Sequence, residues 1–277
     1  MANVLPFDKQ VTVIASLAEG ASIRGIERMT GVNRNTIMSL GLRVGNACAK
    51  MMDAKMRGLN CQRLEVDELW AFIQKKQAQC VPGDFKRGFG DVYTFVALDS
   101  DTKLIPAYLV GKRDAIHAIR FFEDLAPRLT CKVQLSTDAF SGYANAIDNA
   151  FGSEIHFGQC VKIYSSPLLV EQKQSKYSPG KVIDVERTVM VGEPEESKIS
   201  TSYIEKQNHT VRMHCRRLSR LTNAFSKKLD SFKAAVSLHF AYYNFVRRHS
   251  TVRMTPAMAA GVERSALTVA DLVDLAR

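Results

Sequence analysis

Four acidic residues in this chain sit where acids are costly to place. Asp67 and Glu68 interrupt the apolar run "RLEVDELWAFIQKK" (63–76), which also holds the only tryptophan, Trp70. Asp138 stands at the exit of the strand-like "CKVQLSTD". Glu205 is one of two acids in 202–253, against eleven Lys and Arg. A carboxylate withdrawn from water needs hydrogen bonds, a cation or a metal ion. Two or three that converge make a hard-oxygen site for Mg²⁺ or Mn²⁺. A pair of such ions about 4 Å apart activates a nucleophile and stabilises a leaving oxygen in phosphoryl transfer. Neither the His nor the Cys spacing offers a rival metal site.

Each acid also has a plainer reading. Side chains alternate along a strand, so Asp67 and Glu68 are expected on opposite faces, and only one can join a given site. Asp138 lies where open α/β sheets carry functional groups, and it equally suits the N-cap of the following helix. Glu205 could pair with its helical neighbours. Asn208, His209, Arg212 and Arg216 recur at spacings of three and four on its helix face, which makes Asn208, His209 and Arg212 candidate supporting groups. Asp99 and Asp101 suit a turn. Trp70 reads as core or substrate-adjacent packing ahead of a base-stacking platform, and Tyr242, Tyr243 and Phe245 read as helix packing.

These residues need elements to hold them. Residues 63–73, 91–101, 103–112, 131–138 and the start of 154–164 have strand composition, and 114–129 and 140–152 have the period of helices. Three strands in a meander, a helical crossover and a fourth strand parallel to the first follow, the crossover being right-handed. The expected fold class is α/β: a mixed five-stranded sheet in the order 3-2-1-4-5, flanked by helices. Asp67 would then lie near Asp138. Residues 165–200, rich in Pro, Gly and charge, read as an insertion with a short hairpin around "KVIDVERTVMVG". Helices are expected over 202–221 and 229–247, and a short amphipathic one in the tail. At the N-terminus, "ASIRGIERMTGVNRNTIMSLGLRVG" has the short helix, tight turn and longer helix of a helix-turn-helix. Arg34, Asn35, Ser39 and Arg43 would face a major groove. The expected divisions are 1–58 (helix-turn-helix), 59–249 (catalytic domain) and 250–277 (tail).

The net charge is +10, concentrated in 202–253. Such a field suggests a polyanion, with nucleic acid the expected partner, and Arg216, Arg217, Arg247 and Arg248 as backbone contacts. No apolar run approaches the ~20 residues that span a bilayer, and no secretory signal is visible. The six cysteines, none within 12 residues of another, read as reduced thiols of a cytoplasmic protein.

The segments "VDELW", "STDAFSGY", "YIEKQNHTVRMHCRRLSRLTNAFSKK" and "YYNFVRRHSTVRMTPAMAAGV" together resemble bacterial transposases of the insertion-sequence-one family. These belong to the DDE group with a ribonuclease-H-like core. The resemblance covers about residues 60–260. It implies that Asp67, Asp138 and Glu205 are the three catalytic acids and hold two Mg²⁺ or Mn²⁺ ions. It also implies nicking at transposon terminal inverted repeats, strand transfer into target DNA, and a homo-oligomer on DNA in a nucleoid-associated cytoplasmic setting. A non-catalytic DNA-binding regulator, and a ribonuclease-H-like nuclease or resolvase without strand transfer, are the competing readings.

Overall fold

The structure, a computed structural model, describes residues 4–165, 182–220 and 222–277. Its centre is a six-stranded mixed sheet: β1 (Arg63–Ile73), β2 (Gly90–Asp99), β3 (Tyr108–Gly111), β4 (Val133–Thr137), β5 (Ile155–Tyr164) and β6 (Val182–Val191). The strand order is β3-β2-β1-β4-β5-β6. The β1–β2, β2–β3 and β5–β6 pairs are antiparallel, and β4 runs parallel to both β1 and β5.

The five-strand expectation is corrected by β6. It lies within the stretch read as an insertion and pairs along β5 from Phe157 to Tyr164. The short hairpin expected there is instead one strand that joins the central sheet; most of its residues are exposed on both faces, so no inside-outside alternation marked it as a sheet member. The third strand is also shorter than 103–112. The chain still follows β2, with the Asp99 and Ala97 N–H groups donating to Leu104 and Ala107 carbonyls. Pro106 has no N–H to return, and the ladder starts only at Tyr108.

Ten α-helices are described: α1 (Phe7–Ala18), α2 (Ile23–Thr30), α3 (Arg34–Lys55), α4 (Pro82–Phe85), α5 (Ala115–Leu125), α6 (Ser141–Phe151), α7 (Ser202–His214), α8 (Leu229–Ala241), α9 (Pro256–Ala259) and α10 (Val269–Asp274). The expected helix over 202–221 stops at His214 and continues only as a 3₁₀ turn at Arg216–Leu218. The next helix leaves the α geometry at Tyr242 for a π turn ending at Val246.

Helices α2 and α3 form as their caps dictate. Ser22 Oγ accepts the Gly25 N–H at 3.0 Å, and Asn33 Oδ1 accepts that of Asn35 at 2.9 Å. Between them Gly31 takes the left-handed conformation that lets the turn tighten. Ile26, Val32 and Ile37 are buried between α2 and α3. The second half of α3 lies directly on α8: a Cβ at Gly45 would stand 2.2 Å from the Ala234 carbonyl oxygen. One continuous buried cluster therefore runs from Val13 through the sheet to Val273. The C-terminal segment closes onto the N-terminus, with Arg277 stacked 4.5 Å over the Phe7 ring. Among the described residues, no helix is long and apolar enough to cross a membrane.

Candidate metal centre

The site forms where β1 outruns β4. β1 pairs with β2 along Leu64–Ile73, but with β4 only from Arg63 to Val66. The last parallel pair is Val66 with Thr137, so the next residues, Asp67 and Asp138, meet where the ladder has ended. Asp67, Glu68 and Asp138 each present a carboxylate oxygen, all within 4.8 Å of one another. The expectation that only one of the pair can join a site is thereby corrected. The two do take opposite faces, Asp67 toward Asn208 and Glu68 toward Arg113 and Tyr143. From Asp67 to Phe72, β1 has no β4 partner among the described residues, and Asp138, just past the end of the ladder, lies within reach of both.

Hydrogen bonds fix the first acid. Asp67 Oδ1 accepts the Glu68 N–H at 2.7 Å, and Oδ2 accepts Nδ2 of Asn208 from α7 at 2.8 Å. Burial, reinforced by the Asp138 charge, raises the Asp67 carboxyl from 3.8 to about 6 despite those bonds. Burial, again with Asp138, raises Glu68 from 4.5 to about 7, while the Arg113 guanidinium pulls the other way. Asp138 is not an N-cap of α6, whose cap position is Phe140. Its Oδ1 instead accepts the Phe140 N–H at 2.9 Å, which bends the chain away from the sheet. The buried Tyr143 hydroxyl faces Glu68 without a hydrogen bond of normal geometry.

Two basic side chains serve as counter-ions. Arg113, between β3 and α5, places Nε 3.3 Å from Glu68 and Nη2 3.6 Å from Asp138, and stacks 4.1 Å over the Phe140 ring. Lys162 of β5 pairs with Glu205. Glu205 also accepts the Thr201 hydroxyl at 2.8 Å. It therefore lies outside the cluster of three, although its charge is felt at Asp67.

The helix that carries Glu205 is anchored by an acid absent from the sequence expectations. Glu65, buried on β1 two residues before Asp67, accepts the Ile204 N–H at 2.9 Å and the Ser100 hydroxyl at 3.3 Å. A carboxylate against the first turn of a helix also matches the helix dipole. This anchor sets α7 so that Asn208, one turn on, meets Asp67. A signal was available: Glu65 shares a strand face with Asp67, and its burial demands a partner.

The remaining expected residues divide. Asn208 is buried, and its Oδ1 has no partner among the described residues. His209 is exposed. Arg212 is half-buried with an unpartnered Nε; burial and the neighbouring Arg220 lower its pKa to about 10. Arg216 and Arg248 are exposed, and Arg247 is half-buried. Arg217 departs from its expected outward role. Its Nη1 donates to the Ala224 and Phe225 carbonyls at 3.1 and 3.4 Å, bracing that loop. On α3, Arg34, Asn35, Ser39 and Arg43 are all exposed, the last three forming an i, i+4, i+8 stripe. Asp99 is confined to its turn, accepting the Thr102 hydroxyl at 2.5 Å.

The donor set fits a hard divalent cation. It has all-oxygen ligands, like charges held close, and a buried amide oxygen beside them with nothing to bond.

No family model matches the chain, and no curated protein matches it. Among solved structures, the chain is similar to a piggyBac transposase in a synaptic complex with hairpin DNA. The TM-score is 0.43 and the identity 11%, over 98% of this chain and 69% of that one. At that distance the site has to be read from its own geometry.

Proposed function

We propose that this protein is a DDE-type DNA transposase with a ribonuclease-H-like core. It would carry out metal-dependent cleavage at transposon ends and strand transfer into target DNA. The observation that carries the reading is the approach of Asp67, Glu68 and Asp138 within 4.8 Å at the open edge of β1, beside the helix bearing Glu205. The sequence resemblance to insertion-sequence-one transposases, around "VDELW", "STDAFSGY" and "YIEKQNHTVRMHCRR", supports it.

In this reading Asp67, Asp138 and Glu205 hold two Mg²⁺ or Mn²⁺ ions, with Glu68 as a further oxygen donor next to Asp138. When bound, the ions would supply an activated nucleophile and charge stabilisation at the phosphorus. The protein's own groups do the positioning. Asn208 holds Asp67 in one rotamer, and Glu65 holds α7 in register with β1. Arg113 and Lys162 neutralise the acids until a cation and DNA arrive. Arg212, partly desolvated beside Asp67, can donate to a phosphate oxygen. The exposed stripe of α3 would read the terminal inverted repeats through the major groove. Residues 1–58 form that reading head and 59–249 the catalytic unit, on a homo-oligomer that holds two ends together.

The test incubates the full chain with labelled DNA carrying candidate ends, with Mg²⁺ or EDTA. Metal-dependent nicking and joining, lost in Asp67→Asn, Asp138→Asn and Glu205→Gln, is expected. Nicking without joining would favour a nuclease or resolvase, and DNA binding with neither would favour a regulator. Joining by Asp138→Asn would overturn the ligand set.

A further inference from the structure

Beyond Glu68, the same face of β1 carries aromatics. Trp70 and Phe72 follow at the two-residue period that keeps side chains on one face. Both are half-buried. Their rings lie 5.7 Å apart, and Phe72 stands 4.9 Å from Phe225, also half-buried. The three form a short stair of tilted rings.

The helical layer stops short of this stair. Tyr143 of α6 packs on Phe95, the cross-strand partner of Glu68. Past that point Trp70 and Phe72 have aromatic contacts only with each other and with Phe225 among the described residues. The far end is held in place: Ser226 bridges to Ile73, and Arg217 ties down the Phe225 carbonyl.

The rim is cationic. Lys76 Nζ sits 5.8 Å from the Trp70 ring centroid. Lys227 and Lys228, next to the bridging Ser226, are exposed. None of the three has a carboxylate within ion-pair distance among the described residues. Partly exposed rings bordered by ammonium groups without a carboxylate partner among the described residues match unpaired nucleotides, whose bases stack while their phosphates meet the lysines. A duplex hides its base faces. An apolar peptide would leave the lysines unanswered.

We infer that the Trp70–Phe72–Phe225 stair binds unpaired DNA, with bases stacked on the rings and phosphates on Lys76, Lys227 and Lys228. It starts two residues from Glu68, about 7 Å along the strand, so the bound nucleotides would be those flanking the reacting phosphate. The choice of DNA as the polyanion rests on the proposed function; the stacking geometry does not.

Trp70 is the only tryptophan, so fluorescence excited beyond the tyrosine absorption band reports this surface alone. The full chain, in EDTA, is titrated with oligothymidylate, with an abasic strand of the same length, and with a blunt two-strand duplex. Quenching by oligothymidylate, and not by the other two, is expected. No quenching by oligothymidylate, or equal quenching by the abasic strand, would overturn the inference. By anisotropy with labelled oligothymidylate, Trp70→Ala should bind about tenfold more weakly and Trp70→Phe within a few-fold of wild type. Wild-type affinity in Trp70→Ala would also overturn it. Because no chemistry occurs in EDTA, quenching without any later strand cleavage would sink the transposase reading alone, and cleavage without quenching would sink only the stair.

Discussion

Replacing Asp67 by Asn should stabilise the metal-free protein at neutral pH and abolish its response to Mg²⁺. The carboxyl titrates near 6 in the folded chain instead of at 3.8. A raised folded pKa means the native state holds a proton that the unfolded chain has released. Stability therefore falls as pH rises from about 4 through about 6, and stays low above. The shift is about two units at 1.36 kcal/mol each, so ionised Asp67 costs about 3 kcal/mol at pH 7.5. Asn carries no charge. It keeps an oxygen for the Glu68 N–H, and Asn208 can turn its amide to offer the oxygen that now lacks a partner. The variant should melt about 6–10 °C above wild type at pH 7.5 in EDTA, with the gap closing by pH 4. Glu68 titrates in the same cluster, so the wild-type midpoint belongs to the group and not to one residue. Added Mg²⁺ should raise the wild-type melting temperature and leave the variant unmoved. Thermal denaturation from pH 4 to 8, with and without Mg²⁺, decides it. A variant less stable than wild type at pH 7.5, or a gap independent of pH, would refute the buried-charge argument.

Two further substitutions probe the supports. Arg113→Gln removes the cation that faces Glu68 and Asp138. A half-exposed pair of this kind is worth about 1 kcal/mol, so Mn²⁺ should bind about fivefold more tightly by calorimetry. Weaker binding would mean that Arg113 positions the acids instead of competing for them. Gly45→Ala puts a methyl 2.2 Å from the Ala234 carbonyl, where backbone and not a flexible side chain must give way. The cost should reach the upper end of overpacking, about 3 kcal/mol, seen as a fall of about 6–10 °C in melting temperature. A fall under about 2 °C would show that the α3–α8 contact is slack.

What the sequence disclosed, and what it hid, follows from the range of each interaction. The proximity of Asp67 and Asp138 was readable because strand composition and the crossover rule bring β4 beside β1. The boundaries of α2 and α3 were readable because their caps, Ser22, Gly31 and Asn33, act within four residues of themselves. Glu68 was left out of the site because alternation puts it on the face opposite Asp67, and nothing local says that β4 ends at Thr137, where Asp138 comes within reach of both. β6 was read only as a short hairpin within an insertion, because a strand exposed on both faces carries no periodic signature that would join it to the sheet. Arg217 looked like any other residue of a basic run until the loop carbonyls it bonds were in place. The partners that make the acids tolerable come from farther away still. Arg113 is 45 residues from Glu68, Lys162 is 43 from Glu205, and Ile204 is 139 from Glu65. An acidic residue in an apolar run announces that a partner exists, but only the fold supplies its identity. Here the fold supplies three kinds: a helix N-terminus for Glu65, an amide for Asp67, and protein cations for Glu68, Asp138 and Glu205. Of these, the cations are the ones that can leave. Glu65 is tied to backbone and Asn208 is buried, whereas Arg113 is partly exposed and Lys162 is a single flexible side chain. Glu68, Asp138 and Glu205, whose counter-ions can be exchanged, are thus free to turn to a metal ion, Asp67 is held ready beside them by the Asn208 amide, and Glu65, tied to backbone, holds the frame.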